Sequence, residues 1–600
     1  MSSSLKSIES ALRADRSVPS DSRARASVVA LLVTLAAIVP LLPTLRAAFV
    51  YDDTTIVRDN ELLRGWAAIG RVWSEPYWPT SGADASGLYR PLHLALLALV
   101  WNAGDGSPAA FHLYALVLYA IVVLAVWWLL RRGVGRVAAS LGALWFATHP
   151  LHVEAVASVS NSSELLVVAF TIALSGLLVR EAHAEQMESR KHAWAVALSA
   201  AALTAAAVLS KESGLLALPV ALITVWGWRT ASSEPSRPFP IRRLHRLGLA
   251  CGAALAASLL ARAAVLGAPV ARVPIAAPGL DVLEPHERVV AMLSLWPRIA
   301  EMLVWPRRLS PYYGPTILPD QQTALATLAV LSAIAVVVSA GLLARRGDRR
   351  PLVALAWITL TYLPASNLLT ATGQLLADRT LFAATVGAAL AIGWIVDRAP
   401  RRAGLAITLV CAIAIARGAF ESARYAAAWS SHRTLWERLV EVSPTEYRGY
   451  QLLGIDAREH GDTARALSLL ARAFAMEPRD RRARFEYGQV LYATGNWAAA
   501  VRVLAPLLAD GDVRGEARFV AMYLDAVGRA RGAEAVIAAG TPLLRSESGA
   551  TAALFVGTAH EQRGRLVAAD SAYRMGLRTE PADSLLLARR ASVEQRLRRR

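Results

Sequence analysis

The sequence predicts an all-α protein, a polytopic bundle of membrane helices followed by an α-solenoid. Three observations predict it. Of 600 residues, 55% are hydrophobic and 18% are charged, where a soluble globular chain carries about a quarter charged. Up to about residue 420, apolar stretches close to the ~20 residues that cross a bilayer alternate with short basic loops. Beyond that point small residues return at a fixed step of 34. The same composition excludes a disordered chain, a collagen and a small disulfide scaffold. Cys251 and Cys411 both lie in apolar runs, so neither a disulfide framework nor a cysteine zinc site is expected.

The net charge of +18 would suit a nucleic-acid partner. The placement of that charge argues against one. Only three of the bases are lysines, Lys6, Lys191 and Lys211, and the arginines gather in loops between apolar stretches. That is the pattern of cytoplasmic loops in a membrane protein.

Eleven apolar stretches are read at 27–49, 110–130, 137–158, 161–180, 193–210, 214–228, 246–267, 321–344, 352–371, 375–396 and 404–418. A polar leader, 1–26, precedes the first, and no cleavage site follows a short apolar core, so the first reads as a span rather than a signal peptide. Basic residues in the leader and at 131–136, 180–191, 229–243, 345–350 and 398–402 fall on one side when the spans are counted. The positive-inside rule makes that side the cytoplasm. Trp127, Trp128, Trp226, Trp228 and Trp394 stand beside these loops, where an aromatic belt belongs. An odd span count then puts residues 421–600 outside, in the periplasm or its equivalent, with the N-terminus cytoplasmic. The membrane is read as the inner or plasma membrane.

Residues 421–600 read as tetratricopeptide repeats. Gly454 and Gly488, Gly461 and Gly495, and Ala466 and Ala500 all keep the 34-residue step. Ala533 follows, and Gly557, Gly564, Ala569 and Pro581 reproduce the frame of Gly454, Gly461, Ala466 and Pro478. Four frames in register predict stacked helix pairs. The three expected domains are the leader 1–26, the membrane domain 27–420 and the repeats 421–600.

Ionisable residues at membrane depth are costly, so each is a candidate for function. Asp52 and Asp53 follow the first span; His149, His152 and Glu154 end the third; Glu164 opens the fourth. Lys211 and Glu212 interrupt the stretch between the fifth and sixth, and Asp378 and Arg379 open the tenth. The span count gathers all of them at the non-cytoplasmic end. His149, His152 and Glu154 have a spacing that invites a metal, but Pro150 breaks the helix such a cluster would use, and no metal is expected. The loop 51–89, with Trp66, Trp73 and Trp78, suits an amphipathic helix in the interface.

Together FVYDD (49–53), YRPLH (89–93), FHLYALVLYA (111–120), FATHPLHVEAVA (146–157), LSKESG (209–214) and LPASNLLTATGQLLADRTLF (363–382) resemble the transmembrane and tetratricopeptide-repeat O-mannosyltransferase family. That family is a branch of the GT-C membrane glycosyltransferases, and this chain reads as a bacterial-type member. The resemblance implies transfer of a sugar, mannose in that family, from a polyprenyl phosphate to a Ser or Thr hydroxyl outside the cytoplasm, with inversion. It implies Asp52 and Asp53 as the catalytic carboxylates, one of them the base that takes the acceptor's proton and the other binding or orienting. Lys211, Arg379 and Arg90 would hold the phosphate. His149, His152, Glu154, Glu164, Glu212 and Asp378 would orient sugar or acceptor. No cofactor beyond the lipid-linked donor is implied, and the repeat groove would take a polypeptide. A membrane-tethered repeat scaffold without catalysis is the alternative; it leaves the gathering of acids, imidazoles and cations unexplained.

Overall fold

The computed structural model describes residues 20–78, 87–183, 189–228, 241–268, 277–280 and 282–599, and among them every regular element is a helix. The chain forms two compact units, Met1–Arg438 and Leu439–Arg600. The first runs past the expected limit at residue 420 because its last long helix continues to Ala428.

In the first unit α1 is Ser20–Ile38, and it tightens into a 3₁₀ segment, Val39–Arg46, where Pro40 and Pro43 withhold amide donors. Then follow α2 (Pro91–Ala103), α3 (Pro108–Gly133), α4 (Arg136–Ala147), α5 (Ser163–His183), α6 (Arg190–Ser210) and α7 (Ala217–Trp228). Later come α8 (Ile241–Leu266), α9 (Gln322–Arg345), α10 (Arg350–Tyr362), α11 (Ala384–Arg398) and α12 (Arg401–Ala428), with two shorter helices, Pro285–Ser294 and Trp296–Val304, between α8 and α9.

A helix stands at each of the eleven expected stretches, and among the described residues seven are long and apolar enough to cross a bilayer by themselves. These make the chain a multi-pass membrane protein. The other four, α4, α7, α10 and α11, have 12, 12, 13 and 15 residues. Each is cut short by a polar turn. Pro150 stops α4, and short 3₁₀ and α turns carry the chain from Pro150 to Asn161. Every residue from 145 to 168 is buried. Broken backbone is tolerated at membrane depth when protein surrounds it and satisfies its polar groups. The turn before α7 requires Gly214, because a Cβ there would lie 2.2 Å from the Ala207 carbonyl oxygen.

Three of the basic loops, 131–136, 345–350 and 398–402, meet one another, while most of the leader and of the loop 229–243, and residues 184–188 of the loop 180–191, lie outside the described residues. Arg350 bonds Asp348 and Asp397, both at 2.8 Å, and donates to the Gly133 carbonyl. Arg398 reaches Asp348 at 2.6 Å, and Asp397 accepts the Gly135 amide. Arg131, Arg132 and Arg349 lie over Trp127, Trp128 and Trp226. For these three loops and the tryptophans beside them the gathering is a spatial one. By contrast α9 exposes Leu331, Ile334, Val336, Val337 and Val338 all round its axis, as a helix bathed in lipid does.

The expected interfacial helix is broken into short turns, Glu61–Leu63, Ala68–Arg71 and Val72–Ser74. Gly65, at φ 79°, separates the first two. Leu63, Ala68 and Val72 face the core, while Trp66 and Trp73 stay exposed.

The second unit holds four helix pairs, α13–α14 (Tyr447–Glu459, Thr463–Met476), α15–α16 (Arg481–Ala493, Trp497–Leu504), α17–α18 (Ala517–Arg531, Ala533–Gly540) and α19–α20 (Gly549–Gln562, Leu566–Thr579), closed by α21 (Ser584–Arg598). The repeating glycines have two jobs. Gly461, Gly495, Gly532 and Gly564 turn the chain inside each pair with φ of 70–81°. Gly454, Gly488 and Gly557 let the helices touch; a Cβ on Gly557 would lie 2.2 Å from Tyr573.

Gly557→Ala should therefore destabilise the repeats by about 1–3 kcal/mol, read as faster limited proteolysis of the full chain in detergent. Arg350 holds the Asp348 carboxyl well below its ordinary range, helped by the Trp394 indole. A depressed folded-state pKa stabilises above the unfolded value and loses that contribution as pH falls. Asp348→Asn should lower the thermal midpoint at pH 7, and the gap to the native chain should narrow below about pH 4.

Candidate functional site

FVYDD leaves the first span through a strained turn. Tyr51 has φ 56°, in the left-handed region that a residue with a Cβ seldom enters. Its amide donates to His432 Nε2 at 3.1 Å, and its ring meets Trp436 edge-on at 5.4 Å. The turn presents the two acids differently. Asp53 is fully buried and accepts from the Ser158 hydroxyl (3.1 Å) and from the amides of Val159 (2.9 Å) and Ser160 (2.8 Å). It braces the broken segment after α4. Asp52 is half-buried, and among the described residues no hydrogen bond engages its carboxylate. Its electrostatic neighbours are Arg379, Glu154 and Arg90. Burial raises its pKa and Glu154 adds to this, against Arg379 and Arg90. That is the direction a proton acceptor working near neutral pH requires.

The predicted cations are all present, and each is matched by an acid. Arg379 pairs with Glu154 through its guanidinium, and its amide donates to the other Glu154 oxygen at 2.8 Å. Lys211 Nζ meets Glu164 at 2.5 Å. Arg90 holds one Glu212 oxygen with two nitrogens, at 2.8 and 3.0 Å, and lies 4.8 Å over the Tyr77 ring. Pairing lowers the cost of keeping charge at membrane depth. It does not exhaust the donors: a guanidinium has five N–H groups and an ammonium three.

Asp378 is buried and accepts from the phenols of Tyr313 (2.5 Å) and Tyr425 (3.1 Å). His152 spends both ring nitrogens, on Tyr119 and Thr385, each at 2.8 Å, and so joins α3 to α11. His149 packs edge-on against Trp145 at 4.5 Å and lines a small recess with Arg417. The cluster thus comprises Asp52, Asp53, Arg90, Glu154, Glu164, Lys211, Glu212, Asp378 and Arg379, while His149 and His152, their rings 5.4 Å apart, take no part in these ion pairs. No three His, Cys, Asp or Glu side chains form a metal-holding group among the described residues.

Sequence reading missed Arg262, which reaches Glu212 at 3.3 Å and also bonds the Gly87 carbonyl. Its signal was available: Arg262 is the one charged residue in the apolar stretch 247–266 of α8. Tyr313, Tyr425 and the Ser158–Ser160 brace gave none, since tyrosines and serines are common near helix ends.

Residues 457–518 match the model of the tetratricopeptide repeat. Protein O-mannosyl-transferase TMTC3 of Mus musculus is 23% identical over 74% of this chain and 51% of its own length. Protein O-mannosyl-transferase F38B6.6 of Caenorhabditis elegans is 24% identical over 77% of this chain and 65% of its own. Protein O-mannosyl-transferase Tmtc2 of Drosophila melanogaster reaches 33%, over 31% of this chain and 20% of its own. The chain thus spans between half and two thirds of the first two relatives. Among solved structures, the APC/C hetero-tetramer Cut9-Hcn1 aligns at 12% identity over 84% of this chain and 89% of that one, with a TM-score of 0.24, too low to carry an argument. With likeness across three quarters of its length and the repeats in their place after the membrane helices, the chain is similar to the transmembrane and tetratricopeptide-repeat O-mannosyltransferases.

Proposed function

We propose that this protein transfers a mannosyl group from a polyprenyl-phosphate donor to a Ser or Thr hydroxyl of a polypeptide, on the non-cytoplasmic face. The observation that carries the proposal is the Asp52 carboxylate. It is half-buried, unengaged among the described residues and neighboured by Arg379 and Arg90.

In this reading Asp52 takes the proton as the acceptor oxygen attacks the anomeric carbon. The bond from that carbon to the phosphate oxygen breaks, and its electron pair leaves with the lipid phosphate. The spare N–H groups of Arg379, Arg90 and Lys211 stabilise the charge that grows there. Glu154, Glu164 and Glu212 hold those cations in place, so they act as positioning residues. One displacement inverts the anomeric centre. The transition state has oxocarbenium character, as in other glycosyl chemistry. The repeats would present the acceptor along their groove. Their 27 arginines and 21 acids from residue 421 onward favour an acidic segment modestly.

The two aspartates should separate in experiment. Asp52→Asn should cut transfer from a polyprenyl-phosphate mannose by about 10²–10⁴-fold with expression unchanged. Asp53→Asn should instead lower the folded yield, because an amide NH₂ would face the amides of Val159 and Ser160. Wild-type transfer by Asp52→Asn would refute the assignment.

The orientation has its own test. A phosphatase fused after Arg600, active only outside the cytoplasm, should be active. Green fluorescent protein exported by the Sec route to the same point should stay dark. The reverse pattern would place the repeats on the side where the acceptor is not presented.

A further inference from the structure

The cluster holds one more cation than the proposed mechanism uses. Arg262 stands on α8, four residues before its end at Leu266. It continues an inward stripe of Leu244, Leu247, Cys251 and Ser258, all buried, while Leu249 and Leu260 face outward. Leu244, Leu247 and Cys251 share a core with Val196 and Ala200 of α6. Packing at position 262 asks only for one more small or apolar residue. A guanidinium that is 8% exposed in that stripe needs partners of its own.

It has two. One nitrogen reaches Glu212 Oε1 at 3.3 Å, and another donates to the Gly87 carbonyl. The second oxygen of Glu212 is the one that Arg90 grips with two nitrogens. One carboxylate therefore serves two guanidinium groups. Arg379 with Glu154 and Lys211 with Glu164 are matched one to one. Of these three groups, Arg90–Glu212–Arg262 is the one with a positive charge in excess.

Lys211 counts Arg90 and Arg379 among its electrostatic neighbours, so the excess sits where positive charge already gathers. Such a gathering at membrane depth is costly until an anion joins it. Asp52 also has Arg90 as a neighbour. In the proposed mechanism, however, Asp52 takes up a proton and ceases to balance a cation at the step in which the phosphate gains charge. A carboxylate divided between two guanidinium groups cancels less of either, so Arg262 leaves more of the Arg90 charge for a ligand. The Gly87 bond adds placement. Gly87 lies three residues before Arg90, and the Tyr77 amide donates to the intervening Leu88 carbonyl at 2.9 Å.

We propose that Arg262 is a further determinant of phosphate binding that acts through Glu212: by taking one carboxylate oxygen, it keeps the charge of Arg90 available to the phosphate of the lipid donor. It is a positioning residue, since its own contacts are to Glu212 and Gly87. The proposal rests on the reading of the cluster as the donor-phosphate site.

The test is native mass spectrometry of the full chain in detergent, with two probes that differ only in the phosphate, undecaprenyl phosphate and undecaprenol. The native chain should retain the phosphate over the alcohol. Arg262→Gln should reduce retention of undecaprenyl phosphate about tenfold, as loss of one charge-assisted interaction predicts, and leave undecaprenol unchanged. A parallel loss of both lipids would show a packing role and overturn the proposal. Arg262→Lys, which keeps the charge without the planar fork, should stay within about threefold of the native chain. Arg246→Gln, at the other end of α8, should leave both lipids unchanged. Thermal melting of the lipid-free variants identifies misfolding. If Arg262→Gln misfolds, Arg262→Lys decides, and a folded lysine variant that falls further than that overturns the proposal. Equal retention of undecaprenyl phosphate by the native chain and Arg262→Gln would overturn it and leave the donor reading intact. A native chain with no preference for the phosphate over the alcohol would overturn the donor reading and this proposal with it.

Discussion

Glu154 and Arg379 are each buried, and they come from segments 225 residues apart. In a low-dielectric interior neither is tolerable without the other. Their pairing fixes the turn after α4 to the turn before α11, because the Arg379 amide donates to the same carboxylate. Once those two turns are joined, the short helices on either side need not reach across the bilayer alone. Asp53 then ties the start of the chain to the same place through Val159 and Ser160. The remaining pairs, Lys211 with Glu164 and Arg90 with Glu212, extend the network outward.

This arrangement explains why the site is rigid and yet chemically available. Removing one partner of a buried pair costs about 3–5 kcal/mol, so most acids here are committed to holding something. Asp53 holds backbone, Glu154 and Glu212 hold guanidinium groups, Glu164 holds an ammonium, and Asp378 receives two phenols. Asp52 alone among the acids read from the sequence has no such engagement among the described residues. A carboxylate exempt from structure, in a setting where burial raises its proton affinity, is suited to exchange a proton.

The fold was legible because it is written in long periods. Twenty-residue apolar runs and a 34-residue repeat survive any local irregularity, and Gly454, Gly488 and Gly557 kept their helix contacts as the spacing implied. The site was legible as a set of charges, since charge at membrane depth is rare. What could not be read was the use of each charge. Asp52 and Asp53 are chemically identical neighbours in sequence, and only the left-handed turn at Tyr51 sends one to the backbone of residues 158–160. His149 and His152 keep their rings 5.4 Å apart, yet one accepts the Leu151 amide and the other bonds Tyr119 and Thr385. The length of α4, α7, α10 and α11 was hidden for a related reason: hydropathy averages across a polar turn that is buried in protein, so a broken span scores like a whole one.

The anchoring of Tyr51 has a mechanical consequence. His432 and Trp436 grip the residue that precedes Asp52, and they lie on the stretch of chain that leads out of the first unit. The turn that carries Asp52 and the stretch 432–436 therefore cannot move independently: a shift of one carries the Tyr51 amide, and the acid after it, along with the other.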